Sequence, residues 1–280
     1  MIEIGIDPIL LTLGSLTLSW HGITSFAGVS LAVYLVGRWA PKYGISADTA
    51  YAAATWGIIG GILGARVVFV FDDLGYYIDH PEQALFIWRG GLAIWGGFLG
   101  GFVGAWIYMR INKLEWRSLA DVTAPTLVLA LMVGRIGDII NGEHFGEITG
   151  KIWGTVYTHP ATQSLYIGNG FDPALPTHPG VIYEFLWLTV VFAVLWWLLK
   201  DRIRPAGMLF ASFLALYAFG RFFILFFHAY RNWIGDLNEA QLICLSVLLV
   251  TVPILAFKST LLPFSRATTS SVVASRKSKG

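Results

Sequence analysis

The stretch LMVGRIGDIINGEHFGE places ionisable side chains inside an otherwise apolar run. Arg135 and Asp138 are three residues apart, so on a helix they would share one face as an ion pair. The same run closes with Asn141, Glu143 and His144. A charge in apolar surroundings is costly unless it is paired or has a function. This segment is therefore the first candidate for a functional site.

The composition indicates that the surroundings of these charges are a membrane. The chain has 280 residues and is 56% hydrophobic and 13% charged, with a mean hydropathy of +0.65. Soluble domains carry about 25% charged residues. A bilayer span needs about 20 apolar residues, and seven segments qualify, near 16–37, 50–71, 90–110, 122–141, 180–199, 206–227 and 238–257. The predicted fold class is an all-α polytopic membrane protein with seven transmembrane helices.

The Lys and Arg residues predict the orientation and the domain organisation. Connections on one side of the membrane carry thirteen of them and those on the other side carry three. This asymmetry predicts an outer N-terminus and a cytoplasmic C-terminus. Residues 1–264 would form one seven-span domain, with 142–179 as a small outer lobe. Residues 265–280 would form a basic, disordered cytoplasmic tail. The net charge of +2 is too small to suggest nucleic acid.

Six predicted spans carry polar or aromatic side chains at one shallow depth below the outer surface. Arg66, Arg135 and Arg221 lie five or six residues from the outer ends of spans 2, 4 and 6, which is roughly 8–9 Å. Spans 1, 3 and 5 carry His21, Trp95 and Glu184 at a similar depth. One long side chain could snorkel to the interface. Three guanidinium groups at one level instead predict convergence on an anion, most simply the phosphate of a phospholipid headgroup.

The remaining marked residues have structural interpretations. Glu184 is predicted to pair with a buried arginine, and Asp121 is predicted to cap the N-terminus of the span-4 helix. His228, beside a loop, is expected to be solvated, as are His80, His159 and His178. No grouping of His, Cys, Asp and Glu has the spacing of metal ligands, so no metal or other cofactor is expected.

At GRIGDIINGEHFG the sequence resembles the signature of bacterial prolipoprotein diacylglyceryl transferases, usually GRIGNFINGE followed by an aromatic residue and Gly. Further segments resemble the family's motifs in the same order over about residues 16 to 257. They are LSWHGI, GARVVFV, RGGLAIWGGFLGG, LADVTAP, THPGVIYE and YAFGRFF. On these motifs the chain is identified as a member of that family.

The resemblance implies an enzyme of the bacterial cytoplasmic membrane. It would transfer the diacylglyceryl group of phosphatidylglycerol to the thiol of the lipobox cysteine in a preprolipoprotein signal peptide, and would release glycerol phosphate. Arg135 and Arg221 would hold the phosphate, while Asn141, Glu143 and Gly146 would shape the headgroup end of the site. The matching motifs also make binding candidates of Arg66, Trp95, Tyr183 and Glu184.

Several positions depart from the family pattern and leave the thiol-activating group open. Trp95 replaces the histidine of the HGG motif, Asp138 replaces the asparagine of GRIGN, and Leu225 replaces a frequent glutamate. A free thiol is mostly protonated at neutral pH, so a base or a cationic field must favour the thiolate. His21, where a tyrosine is common, is one candidate base, and His144 is a second. The arginines alone are the third possibility.

Two other classes of function would use the same residues. The departures could indicate a catalytically impaired relative that only binds phospholipid or a signal peptide. A transporter for an organic anion would need polar residues in the inner halves of the spans. Spans 2, 5 and 6 are almost purely apolar there, which disfavours a transporter.

Overall fold

The computed structural model describes residues 1–14, 16–87, 90–91 and 93–263, without the side chains of Leu16, Ile94 and Trp95. The predicted tail, 265–280, and the side chain of Trp95 therefore lie outside the described part. In chain order the helices are α1 (Trp20–Trp39), α2 (Ala47–Asp72), α3 (Leu74–Asp79), α4 (Ile94–Ile111), α5 (Trp116–Asn141), α6 (Pro160–Gly168), α7 (Gly180–Ala193), α8 (Met208–Ile224) and α9 (Glu239–Lys258). A π-helical turn, Val194–Leu199, extends α7, and 3-10 turns occupy Ala40–Tyr43, Pro81–Leu85 and Leu225–Phe227.

Six helices of the described chain are long and apolar enough to cross a membrane: α1, α2, α5, α7, α8 and α9. Their outward faces are apolar, with Leu63 60% and Leu249 76% exposed. Such exposure fits lipid, because a large apolar surface in water is unfavourable. The membrane character predicted from composition is confirmed. The third predicted span corresponds to α4, an 18-residue helix that is not among these six, so the count of seven stays a prediction.

Two predicted helix starts were wrong. Span 1 was expected from residue 16, but α1 begins at Trp20, because the side chain of Ser19 accepts a hydrogen bond from the backbone N–H of Gly22 and caps the helix. The preceding residues form strand β3 (Leu16–Ser19), antiparallel to β2 (Ile9–Leu13). Likewise α5 begins at Trp116, six residues before the predicted start of span 4 at residue 122.

The early start of α5 gives Asp121 a different role from the predicted one. Its carboxylate accepts hydrogen bonds from the backbone N–H groups of Gly207 at 2.8 Å and Phe210 at 2.9 Å. These N–H groups belong to the start of α8, where no carbonyl of the same helix is available to them. Asp121 therefore caps α8, which is 86 residues away along the chain, and the prediction that it caps its own helix was wrong.

Helices α2 and α4 are in close backbone contact through glycines. A Cβ atom on Gly60 would lie 2.4 Å from the carbonyl oxygen of Gly100, and one on Gly64 would lie 2.4 Å from that of Gly96. No side chain fits at these distances, so only glycine permits this approach. These glycines are therefore helix-packing residues.

The long connection 142–179 folds into a small lobe together with the N-terminus. Strand β4 (Thr155–Tyr157) pairs in parallel with β1 (Ile2–Ile4), and α6 follows it. Ile4, Tyr157 and Tyr166 form the buried centre of the lobe. Two short strand pairs complete the sheet structure of the described residues: the β2–β3 hairpin, and β5 (Ile203–Arg204) with β6 (Thr260–Leu261).

Helix α5 occupies the centre of the bundle and packs against α1, α7 and α8. Its residues Ala124 and Val128 are fully buried in a core with Leu188 and Val191 of α7 and Leu209 of α8. Because α5 lies among these helices, its C-terminal turns carry the polar residues of the signature segment to the point where all four helices meet.

Candidate active site

Two arginines and one glutamate from three helices form the centre of the candidate site. Glu184 of α7 pairs through Oε2 with Nη2 of Arg135 on α5, and through Oε1 with Nη1 of Arg221 on α8. The three side chains are only 7%, 12% and 18% exposed, respectively. The prediction that Glu184 pairs with a buried arginine is confirmed, and its carboxylate forms ion pairs with two arginines.

Asp138 extends this ion-pair cluster to α1. Its Oδ2 accepts a hydrogen bond from Nη1 of Arg135 at 2.7 Å, and its Oδ1 lies 2.5 Å from Nδ1 of His21. Helices α1 and α5 approach closely here, since a Cβ atom on Gly137 would lie 2.7 Å from the Cα atom of His21. Glycine at that position therefore permits the His21–Asp138 contact.

The imidazole of His21 is oriented by this carboxylate and is open to its surroundings. Its side chain is 44% exposed, whereas that of Asp138 is 6% exposed. A proton on Nδ1 is donated to the carboxylate, which leaves Nε2 as an acceptor. The site thus contains a possible proton acceptor whose partner carboxylate also pairs with the guanidinium of Arg135.

His144 lies close to both Asp138 and Arg135, with its Nε2 3.7 Å from Oδ2 of Asp138. Its Nδ1 lies 2.9 Å from the hydroxyl oxygen of Tyr230, and its Nε2 lies 3.4 Å from Nη1 of Arg135. The turn that places it begins at Gly142, whose φ of 72° ends α5 in a left-handed conformation. Burial, and secondly the charge of Arg135, lower the pKa of His144, so this imidazole is neutral at neutral pH. Burial also raises the pKa of Tyr230.

His228 was expected to be solvated, and this prediction was wrong. The residue is 4% exposed, and its ring stacks on that of Tyr230 with centroids 5.1 Å apart. The His228 ring packs directly against Gly180, since a Cβ atom at position 180 would lie 2.3 Å from Cε1 of that ring. Burial lowers the pKa of His228 to about 4. No local signal in the sequence indicated either His228 or Tyr230, because both are brought to the site by the loop that follows α8.

Asn141, Glu143 and Gly146 surround the end of α5. Asn141 is buried and donates from Nδ2 to Oε1 of the exposed Glu143 at 2.6 Å. Within the described part of the chain, Oδ1 of Asn141 has no hydrogen-bond partner. A Cβ atom on Gly146 would lie 2.0 Å from the carbonyl oxygen of His178, so glycine is needed where this loop meets the lobe.

The structure does not bring Arg66 into the cluster. Its Nε donates to the carbonyl of Ala84, its Nη1 to those of Gly90 and Gly91, and its Nη2 to that of Gln83, at 2.6–2.9 Å. Four of its five N–H donors are therefore used by the backbone of one loop. The predicted convergence of three arginines thus reduces to two, because equal depth does not determine the direction in which a side chain points.

Tyr183 lies in contact with the lobe. Its hydroxyl accepts a hydrogen bond from Nε1 of Trp153 at 2.8 Å and lies 3.1 Å from Nδ1 of His178. Its ring faces Phe227, with centroids 5.6 Å apart. The described residues contain no group of three or more His, Cys, Asp and Glu side chains arranged to hold a metal ion.

The charges of the cluster balance, and this determines how it can bind an anion. Two guanidinium groups face two carboxylates, so a ligand must use donors that the ion pairs leave over. Among the described residues, Arg221 uses only Nη1 for a hydrogen bond, which leaves its Nε–H and Nη2–H groups. Guanidinium donors of this kind match phosphate oxygens.

The fold and the cluster define a polytopic membrane protein with a buried charged site where four helices meet. More particularly, the chain belongs to the prolipoprotein diacylglyceryl transferase family, whose model matches residues 8–257. This membership confirms the resemblance seen in the sequence motifs.

Two relatives illustrate the extent of the similarity. A protein of Dehalococcoides mccartyi is 34% identical over 260 residues, which are 92% of this chain and 96% of the relative. A protein of Limosilactobacillus reuteri is 33% identical over 246 residues, which are 86% of this chain and 87% of the relative. Both are named phosphatidylglycerol–prolipoprotein diacylglyceryl transferase.

Proposed function

We propose that this chain transfers the diacylglyceryl group of phosphatidylglycerol to the thiol of the lipobox cysteine in a preprolipoprotein. The sulfur attacks the glyceryl carbon that carries the phosphate ester, a C–S bond forms, and the C–O bond to the phosphate breaks. The products are a thioether and glycerol phosphate. The observation that carries the proposal is that Asp138 contacts both His21, a possible proton acceptor, and Arg135 of the buried arginine pair.

Phosphate binding is assigned to Arg221 and Arg135. The departing phosphate gains a negative charge as the C–O bond breaks, and fixed donors in a dry site stabilise such a charge strongly. Glu184 holds both guanidinium groups before the substrate arrives, since it pairs with each of them. Asn141, Glu143 and Gly146 are assigned to the glycerol end of the headgroup, where Oδ1 of Asn141 offers a free acceptor for a hydroxyl.

The thiol proton is assigned to Nε2 of His21. Its exposed ring can reach a ligand, and the carboxylate of Asp138, 2.5 Å from Nδ1, stabilises the imidazolium that forms. His144 is less suited, because its Nε2 already faces Arg135 at 3.4 Å. His21 stands where the family pattern has a tyrosine, and Asp138 stands where it has an asparagine. Both departures are needed to create the imidazole–carboxylate pair. Together they offer an imidazole to replace the one lost at Trp95.

The proposal includes a location and an orientation. The chain would lie in the bacterial cytoplasmic membrane with α4 as a seventh span, the N-terminus and the 142–179 lobe outside, and the C-terminus in the cytoplasm. The distribution of Lys and Arg among the connections supports this orientation. The lobe adjoins the ends of α5 and α7 that carry the cluster, where a translocated signal peptide and outer-leaflet lipid would meet.

The test is transfer of labelled diacylglyceryl from phosphatidylglycerol to a lipobox peptide by the purified full chain in nanodiscs. We expect a thioether-linked product with the Cys peptide and none with a matched peptide in which Ser replaces that Cys. If the folded protein binds lipid and peptide but gives no product, the transferase proposal is wrong. The chain would then be a binding relative.

A further inference from the structure

The helix ends opposite the ion-pair cluster enclose a cavity of about 480 Å³. Its walls come from the chain after α1, the start of α5, the turn after α7 and the start of α8. Asp121 in its wall precedes Arg135 by 14 positions on α5, which is roughly 21 Å along the helix. The cavity is therefore separate from the candidate active site, although the same four helices contribute to both.

Cations predominate around this cavity. Lys42, Lys200 and Arg204 line it, and among the described residues none of the three has an ion pair within 4.0 Å. The two acidic residues of the wall are Asp121 and Asp201. The carboxylate of Asp121 accepts two backbone N–H groups of α8 and, among the described residues, forms no ion pair within 4.0 Å with the three cations. With three cations and two carboxylates, the residues that line the cavity carry a net positive charge.

Aromatic rings form the wall beside these cations. The indoles of Trp39 and Trp196 are 4.5 Å apart between centroids, and Nζ of Lys200 lies 3.4 Å from the Trp196 ring centroid. Tryptophans with lysines at span ends are typical of the boundary between acyl chains and headgroups. A soluble anion would use the cations but would gain nothing from an indole wall, whereas a lipid would use both.

We propose that this cavity binds the phosphate of an anionic phospholipid from the leaflet opposite the active site. Lys42 and Arg204 would contact the phosphate oxygens, and the glycerol and first acyl carbons would lie against the indoles of Trp39 and Trp196. The lipid would be a structural ligand and not a substrate. The name of the leaflet, cytoplasmic, rests on the proposed orientation, but binding does not depend on the transferase activity.

The experiment uses a photoreactive phosphatidic acid, with a diazirine near the start of one acyl chain, and the purified full chain in phosphatidylcholine nanodiscs. After illumination, mass spectrometry locates the labelled peptides. We expect labelling at residues 39–43 and 196–204, suppressed by unlabelled phosphatidic acid but neither by extra phosphatidylcholine nor by inorganic phosphate. Because the peptides are mapped, any lipid bound at Arg135 and Arg221 is counted separately.

The variant with Lys42→Gln and Arg204→Gln tests the cations. Each interfacial cation contributes about fivefold to binding of anionic lipid, so we expect labelling of this cavity to fall about tenfold or more. The matched control is Arg110→Gln with Lys113→Gln, two cations at the same end of the bundle that do not line the cavity. It should retain full labelling, and Lys42→Gln alone should give an intermediate loss.

Three results would overturn the proposal. Equal labelling of both double variants would show that the cavity cations do not bind the lipid. Suppression by inorganic phosphate as strong as by phosphatidic acid would indicate a site for a soluble anion. Absence of labelling at 39–43 and 196–204 in the unmodified chain would show that the cavity does not hold this lipid. None of these results bears on whether lipobox peptides are modified.

Discussion

Arg221 and Arg66 lie at similar predicted depth on two different helices, yet the structure gives them opposite surroundings. Arg221 pairs with a carboxylate from a neighbouring helix and leaves two of its nitrogens without a partner among the described residues. Among the described residues, Arg66 donates to the backbone carbonyls of residues 83, 84, 90 and 91, which leaves a single N–H without a partner. A carboxylate partner keeps a guanidinium available to a ligand, whereas a ring of carbonyls commits it to holding a loop.

The largest expected effect comes from Arg221→Gln, which removes the free donors. Loss of one preorganised donor to a developing anion lowers rates about 10²- to 10³-fold, so the initial rate of diacylglyceryl transfer should fall at least that far. Retention of insertion and of the far-ultraviolet circular dichroism spectrum would show that the loss is not due to misfolding. A near-normal rate would contradict the assignment of phosphate binding to this pair.

The next effect concerns the proton acceptor beside the arginine pair. His21→Gln should lower the transfer rate about 10²-fold, as is typical when a general base is removed. In the unmodified chain the rate should fall as pH falls, because a protonated imidazole cannot accept the thiol proton, and this acid limb should vanish in the variant. The measurement is the rate over a range of pH with saturating peptide.

Two comparisons sharpen this result. Asp138→Asn keeps the imidazole but removes the carboxylate that orients it, so we expect a smaller loss of about tenfold with the acid limb retained. His80→Gln, at an exposed histidine of the loop after α3, should leave rate and pH dependence unchanged. If His21→Gln keeps the acid limb, then His144 or the arginines must activate the thiol.

The smallest effect on transfer is expected for Arg66→Lys. A lysine cannot reproduce the fork of four hydrogen bonds, so the free energy of unfolding should fall by about 1–3 kcal/mol, at roughly 0.5–1.5 kcal/mol for each hydrogen bond that is lost. Transfer per folded molecule should stay within about twofold, since Arg66 is assigned to structure and not to substrate. Denaturation in mixed detergent micelles measures the first quantity, and the peptide assay measures the second.

The opposite result for Arg66 would change the comparison. A fully folded Arg66→Lys protein that loses transfer as severely as Arg221→Gln would mean that the loop at 83–91 opens and releases the guanidinium to the substrate. The matched control is Arg38→Lys, at an exposed arginine in the last turn of α1. It should alter neither the free energy of unfolding nor the transfer rate.

The sequence alone determined the membrane class, the approximate positions of the six helices that are long and apolar enough to cross a membrane, the family and the identity of most candidate residues. Hydropathy and length predict spans because a bilayer imposes one thickness on every helix that crosses it. Depth then follows from a constant rise per residue. For this reason Arg135, Arg221 and Glu184 could be placed at one level, and the pairing of Glu184 could be expected from the cost of an unpaired charge.

Only the tertiary structure decided which of these side chains meet. The direction of a side chain around its helix axis depends on packing, as at Gly137, where α1 approaches closely enough for His21 to reach Asp138. Packing likewise assigned Asp121 to the start of α8, buried His228 over Gly180 and enclosed Arg66 in its loop. These partners are far apart in the chain, so no local pattern of residues specifies them.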